Sequence, residues 1–214
     1  MKTPKIVTIK EQVYEIIKNR ILTQEYQFGE KINIGSLSKE LGISNSPIRE
    51  ALSQLGQEGL VVSTPNSGLR VVNMSKRDLF EQAQMVYFWM TGSYRYCAEN
   101  DKTEQLVRGL EECLKKQKKY YEEKNHYKFI YYSNYFDRCI LAATENSRLL
   151  KQFDAIFPLF FLASGSYLQG SEKEWHLSIQ EHEKILLAIK EKKHDEVQEA
   201  IKVHYFKPSW TLDI

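Results

Sequence analysis

The chain has 214 residues, of which 42% are apolar, and its 30 lysines and arginines nearly balance 28 acidic residues. That apolar content can form one large core or two modest ones, so two domains are a reasonable expectation. The net charge of +2 is too small to indicate a nucleic-acid partner by itself, and only 10 glycines and 5 prolines argue against a loop-rich all-β protein.

The cysteines and the apolar segments indicate the compartment. Cys97, Cys113 and Cys139 are odd in number and lack a CxxC spacing, which favours a reducing environment over a disulfide framework or a thiolate zinc site. The first residues lack the apolar core of a signal peptide, and the most apolar run, 155–163, is too short to span a bilayer. We therefore expect a cytoplasmic protein with no membrane partner.

In the first third of the chain, the spacing of apolar residues and the turn residues between them predict a winged helix-turn-helix. The expected elements are helices at about 10–23, 34–40 and 44–59, followed by a β-hairpin over 60–72. Gly42 supplies the positive φ that a tight turn between the second and third helices requires. Pro47 suits the first turn of the third helix, where its missing N–H has no partner to lose.

In the rest of the chain the sequence pattern predicts helices and no strands. Ser75-Lys-Arg-Asp78 is a capping sequence, and helices are expected at about 76–99, 103–124, 126–143, 146–164, 172–191 and 194–207. The predicted fold class is therefore mainly α, with a winged helix-turn-helix DNA-binding domain over 1–74. An all-α antiparallel helical bundle is expected over 75–214.

The second helix of a helix-turn-helix presents its N-terminal residues to the major groove. Here these are Ser44, Asn45, Ser46 and Arg49. Arginine can make paired hydrogen bonds to a guanine edge and asparagine to an adenine edge, while serine can hold phosphate or base. The alternative is that Arg49 is a solvated side chain beside Glu50, in a winged-helix module that binds no DNA.

The hairpin and the second helix supply further candidate contacts. The wing-tip residues Asn66, Ser67 and Gly68 are small enough to approach a minor groove or the phosphates. Lys39 and Arg70 are candidate phosphate contacts.

Several motifs in one register resemble the DNA-binding domain of the GntR family. They are Gly29-Glu-Lys-Ile-Asn33, Leu37-Ser-Lys-Glu-Leu-Gly-Ile-Ser44, Pro47-Ile-Arg-Glu-Ala-Leu52, Leu55 and Glu58-Gly-Leu60. The helical remainder, with Asn146-Ser-Arg-Leu-Leu150 and Glu181-His-Glu-Lys-Ile-Leu-Leu-Ala-Ile189, is similar to the FCD effector domain of the FadR branch.

The resemblance implies a homodimeric repressor that binds a palindromic operator on double-stranded DNA and responds to a small-molecule effector. It implies base reading by Arg49 and contacts by Ser44 and Ser46. The chain departs from the family at position 45 and at positions 35–36, where arginine is common. Losing two cations should weaken the salt-dependent phosphate contribution.

His182 and His204 are each 11 residues from Lys193, the centre of the turn between the last two predicted helices. An antiparallel helix pair therefore places the two imidazoles opposite each other, roughly 16 Å from the turn. Facing side chains in a bundle core are where metal sites are commonly built.

The resemblance implies that two such histidines bind a divalent metal together with an Asp and a His one helical turn apart. The matching positions are Ser133 and Asp137, so one ligand is lost and another replaced. Asp137, His182 and His204 would still form a three-ligand set that suits Zn, Ni or Mn with open positions. The alternative is that both histidines are core residues hydrogen-bonded to an Asp or to Tyr131, Tyr132 or Tyr135.

The resemblance also places Phe88 and Gly92 where the family usually has an Arg and a Glu. Without that arginine the cavity is more apolar than a site for small organic acids. One hypothesis is an effector pocket formed by Phe88, Trp89, Tyr132 and Phe136 that accepts a larger apolar effector, such as an acyl or aromatic compound. The alternative is that Phe88, Trp89 and Phe136 are simply packed core.

Two other functions compete with the ligand-responsive regulator. A metal-dependent hydrolase would use Asp137, His182 and His204, but HExxH, nucleophile-elbow and phosphate-loop motifs are all absent from the sequence. A ligand-independent DNA-binding protein would need no cavity. The sequence as a whole favours a regulator without enzymatic activity.

Overall fold

The structure is a computed structural model that describes residues 8–64, 68–168 and 172–206. The chain divides into two compact units, 1–73 and 74–214. In the described part, the first unit contains α1 (Ile9–Leu22), α2 (Ile34–Leu41), α3 (Asn45–Gln57), β1 (Val61–Thr64) and β2 (Gly68–Val71). Its element order is that of a winged helix-turn-helix, as the sequence predicts.

A capping box begins α1. The Thr8 hydroxyl accepts a hydrogen bond from the Glu11 N–H, and the Glu11 carboxylate accepts one from the Thr8 N–H at 2.7 Å. These bonds satisfy backbone donors that the first helical turn leaves without partners. Val13, Ile17 and Ile21, four residues apart, are buried on one face of α1, and this helix packs against α3.

Gly42 closes the turn between α2 and α3. Its φ of 66° lies in the left-handed region, and its N–H bonds to the Ser38 carbonyl. A side chain at this position would be strained, because L-residues other than glycine rarely adopt such a φ. The tight turn orients α3, which buries Ile48, Ala51, Leu52 and Leu55.

β1 and β2 form an antiparallel hairpin in which Val61 pairs with Val71 and Thr64 with Gly68. The segment before α2 joins this hairpin, since the Ile32 N–H donates to the Leu69 carbonyl at 2.9 Å. The wing is therefore anchored to the helices along one edge.

In the described residues the second unit is helical throughout. Its helices are α4 (Lys76–Glu99), α5 (Thr103–Glu122), α6 (His126–Ala143), α7 (Ser147–Leu168), α8 (Glu172–Lys190) and α9 (His194–Tyr205). The predicted capping box at Ser75 and Asp78 is present. Helix α6 packs against α4, α5 and α7, and α8 packs against α5 and α9.

Helix α7 is longer than the sequence predicts. It was expected to end near residue 164, but it continues to Leu168 and contains both Pro158 and Gly165. Phe160, Phe161 and Leu162 are buried, so tertiary burial outweighs the local preference of glycine to end the helix. None of the helices in the described residues is both long and apolar enough to cross a bilayer.

Candidate DNA-reading surface and buried polar cluster

The N-terminal turn of α3 is an exposed polar surface of the first unit. Ser44, Asn45, Ser46 and Arg49 are all exposed, because the apolar residues of α3 occupy its opposite face. The structure therefore brings these four predicted residues together. The free N–H groups of a helix N-terminus also favour an approaching phosphate.

Ser53 extends this surface and was missed by the sequence prediction. It is exposed, and with Asn45 and Arg49 it forms an i, i+4, i+8 series on one helix face. That helical spacing was the signal that could have identified it. The side chain of Ser44 makes no capping hydrogen bond.

The base of the wing differs from the prediction. Gly68 is exposed with φ 81°, whereas Asn66 and Ser67 lie outside the described residues. Arg70 was predicted to contact phosphate, but it is half-buried and its Nη1 donates to the Gly29 carbonyl at 2.8 Å. Part of its guanidinium therefore anchors the wing. Lys31, which bridges to Arg70 across the hairpin edge, is the exposed cation here, and sequence reasoning missed it.

Ion pairs separate the cations of this unit into two groups. Lys18 bonds to Glu58 at 2.8 Å and Arg20 to Glu40, so both hold helices together. Within 8–64 and 68–73, Lys31, Lys39 and Arg49 make no ion pair. These three side chains are exposed and therefore available to DNA, whereas Lys10, which also makes no ion pair in this part of the chain, is half-buried.

The four predicted effector-pocket residues do not form one pocket. Phe88 is 59% exposed, because Val86 and Met90, which flank it, occupy the buried face of α4. Phe88 and Trp89 line a surface cavity of about 510 Å³. The Tyr132 ring stacks on Tyr120 with centroids 5.3 Å apart.

Phe136 belongs to the buried core and not to that cavity. It is fully buried, and its ring stacks on the His182 imidazole with centroids 4.1 Å apart and planes 6° apart. The single aromatic effector pocket is therefore wrong, since helix phase directs these residues to three different surroundings.

Asp137, His182 and His204 do meet. They come from α6, α8 and α9, and one potential ligand atom from each lies within 4.8 Å of the others. Asp137 and His182 are buried and His204 is half-buried. We call this set the buried cluster.

Each of the two imidazoles of the buried cluster makes a hydrogen bond through Nδ1, and this bond leaves Nε2 as the nitrogen available to a ligand. His182 Nδ1 lies 2.8 Å from Gln117 Oε1, and His204 Nδ1 lies 2.7 Å from Glu181 Oε2. Both oxygens only accept, so each Nδ1 donates, and whenever a ring is neutral its lone pair is on Nε2. A carbonyl or carboxylate behind the imidazole is the usual arrangement of a metal-bound histidine.

Neither partner was predicted, because the sequence suggested tyrosines or an aspartate. Gln117 is 65 residues from His182 in sequence, and no motif marks it. It is itself held by Ser178, whose Oγ accepts from Gln117 Nε2 at 3.2 Å. Ser133, at the position of the lost acidic ligand, lies 3.1 Å from the Ser178 hydroxyl and is not part of the buried cluster.

The Asp137 carboxyl suits a bound cation. Its Oδ1 is buried without a hydrogen-bond partner among the described residues. Burial raises the pKa of Asp137 to about 6, although the nearby His204 and a hydrogen bond from Tyr205 lower it in part. Two imidazole nitrogens and one carboxylate oxygen therefore fit a divalent metal such as Zn, Ni or Mn with open coordination positions.

Comparison with known families gives two matches along the chain. Residues 9–71 match the family described as bacterial regulatory proteins, gntR family, and residues 92–206 match the FCD domain. The second match alone covers more than half of the chain.

Individual relatives give the same picture. The chain is 29% identical over 150 residues to a protein of Paenarthrobacter nicotinovorans named "Probable D-xylose utilization operon transcriptional repressor", covering 70% of this chain and 65% of that one. It is 37% identical over 68 residues to the HTH-type transcriptional repressor GlaR of Escherichia coli, covering 32% and 31%. The matched segments thus span less than two thirds of either relative.

The fold is also similar to that of a solved structure, E. coli McbR/YncC. The TM-score is 0.69 at 21% sequence identity, and 94% of each chain is covered. At this identity the likeness concerns the fold alone.

Proposed function

Since the chain belongs to the gntR family of bacterial regulatory proteins and carries an FCD domain, we propose that it is a ligand-responsive repressor of transcription. It binds a palindromic operator as a homodimer, one head to each half-site. Two of its relatives are named as repressors, which supports repression over activation. Such a protein works in the cytoplasm beside the DNA and has no enzymatic role.

One observation carries the DNA-binding part of this proposal. The α3 surface places Asn45 and Arg49 side by side on an exposed face, with the apolar residues of the helix turned away. Arginine and asparagine are side chains that can pair bidentately with guanine and adenine edges in a major groove.

Selection from a random double-stranded DNA library with the full-length protein tests the operator. We expect enrichment of an inverted repeat whose half-site centres are about one helical turn apart, or a multiple of it. Enrichment without symmetry would contradict the homodimer, and no enrichment would contradict specific reading.

For the second unit we propose that Asp137, His182 and His204 bind a divalent metal. The buried, unbonded Asp137 oxygen and the acceptors behind both imidazoles support this site. A metal there would supply positive charge and open positions for an oxygen atom of the effector. Gln117 and Glu181 orient the two rings, and Phe136 packs against one of them.

Elemental analysis of the purified full-length protein tests the metal site directly. We expect about one equivalent of Zn, Ni or Mn per chain after gentle purification. Less than about half an equivalent, with no uptake from added metal, would contradict the site.

Ligand response is tested with the selected operator. Effector candidates should change the operator affinity, since control requires unequal affinity of the ligand for the DNA-competent and DNA-incompetent states. Operator binding that is indifferent both to metal and to every ligand that stabilises the protein would indicate a ligand-independent DNA-binding protein.

A further inference from the structure

Two cysteines outside the buried cluster lie next to each other. Cys113 on α5 and Cys139 on α6 are both free thiols, and their Sγ atoms are 2.9 Å apart. A disulfide bond has an S–S length of about 2.05 Å, so the sulfurs need to approach by less than about 1 Å to be linked.

The packing of α5 against α6 produces this proximity. Gly109 lies one helical turn before Cys113, and a Cβ built there would be 3.7 Å from the Cβ of Cys139. That distance is an ordinary van der Waals contact, so α5 and α6 pack directly against each other at this level. The interval of 26 residues between the cysteines hides the pair from a search for CxxC motifs.

The two thiols differ in access to solvent. Cys113 is only 4% exposed, whereas Cys139 is half-buried. A small oxidant therefore reaches Cys139 first, and Cys113 is the thiol placed to resolve the product.

We propose that Cys113 and Cys139 form a reversible intrachain disulfide when the protein meets a hydroperoxide. The Cys139 sulfur attacks the peroxide, the O–O bond breaks, and an alcohol or water leaves with the proton, giving a sulfenic acid. The Cys113 sulfur then attacks that sulfur, the S–O bond breaks, and the hydroxide leaves with the Cys113 proton as water. Two equivalents of an external thiol restore both cysteines. The bond links the helices that carry Gln117 and Asp137.

Cys97 provides an internal control in the same chain. It is fully buried on α4, and burial raises its pKa to about 11, so it stays a thiol when the pair is oxidised.

Peptide mapping of the full-length protein tests the proposal. The reduced protein is treated with a few equivalents of hydrogen peroxide, denatured in the presence of the alkylating reagent, and digested with trypsin without reduction. We expect peptides 109–115 and 139–148 as one disulfide-linked species, peptide 96–102 fully alkylated, and a monomer band on a non-reducing gel. Dithiothreitol should release both linked peptides.

Three outcomes would overturn the proposal. They are alkylation of both peptides, oxidation of Cys139 to sulfinic acid with no linked species, and a link between two copies of peptide 139–148. Cys113→Ser tests the order of the steps, because Cys139 should then keep a sulfenic acid that dimedone traps. If dimedone trapped Cys113 in Cys139→Ser more than it trapped Cys139 in Cys113→Ser, that order would be contradicted. Even if a variant folds poorly, the peptide map of the wild-type protein shows whether the Cys113–Cys139 disulfide forms.

Discussion

Arg49 is the side chain on which specific DNA recognition should depend most. It is exposed, makes no ion pair within the described residues, and follows Asn45 by one helical turn. Its guanidinium can bond bidentately to a guanine edge, whereas a lysine at the same place offers charge without the planar fork.

Arg49→Ala should weaken binding to the selected operator by about 10- to 100-fold, the cost of a bidentate base contact. Arg49→Lys should retain much of the nonspecific binding but lose discrimination at one base pair. Fluorescence anisotropy with the operator and with scrambled DNA measures both effects.

Lys39→Ala is the matched control, since Lys39 is exposed on the last turn of α2 and is expected to contact phosphate. It should weaken binding to all sequences alike and lower the salt slope by about 1. If Arg49→Ala behaved in the same way, base reading by Arg49 would be refuted.

Asp137 is the second decisive side chain, and its effect depends on pH. Its pKa in the folded protein, about 6, is above the ordinary value of 3.8. The folded protein therefore binds this proton more tightly than the unfolded chain does. In the metal-free protein the free energy of unfolding should fall as pH rises from about 4 to about 6, by on the order of 2 kcal/mol.

Asp137→Asn should therefore raise the melting temperature of the metal-free protein at pH 7.5 and change it little below pH 4. The same substitution should abolish the stabilisation by added Zn or Ni. Tryptophan fluorescence monitors the melting, because Trp89 on α4 and Trp175 on α8 lie in the second unit. A lower melting temperature of metal-free Asp137→Asn at pH 7.5 would mean that the charged carboxylate stabilises the fold.

At the scale of the elements, short signals in the sequence explain the helix boundaries well. The capping boxes at Thr8 and Ser75 and the left-handed glycine at Gly42 act over a few residues, so the chain around them suffices to predict them. Gly165 is the exception, since buried neighbours on α7 keep it helical.

The turn between α2 and α3 gives a prediction at this scale. Gly42→Ala places a Cβ at φ 66° and should cost about 1 kcal/mol of stability and reduce operator affinity, because the turn orients α3. Gly56→Ala is the control. Gly56 lies inside α3 without a positive φ, and the nearest atom to an added Cβ is 3.5 Å away. This change should stabilise the unit slightly. Urea denaturation followed by far-ultraviolet circular dichroism compares the two, and equal effects would refute the role of the turn.

At the scale of the whole molecule, the proposed homodimer makes DNA binding bivalent. Each α3 would read one half-site, so the second head binds at a high effective concentration once the first is bound. A DNA with one half-site scrambled should therefore bind at least about 100-fold more weakly than the full palindrome. Anisotropy titrations with both DNAs, and sedimentation of the complexes, measure this ratio and the stoichiometry. Equal affinities for the two DNAs would mean that a single head accounts for binding.

The sequence by itself determined the elements, the helix-turn-helix and the three members of the buried cluster, and it did so from apolar periodicity, caps, turn glycines and the recognised motifs. Only the tertiary structure decided which distant side chains meet. Gln117 behind His182, the Cys113–Cys139 pair and the exposure of Phe88 are examples. The physical reason is that a 3.6-residue period shows which residues share a face of one helix. The rotation and axial offset of the neighbouring helix follow from how the two surfaces pack.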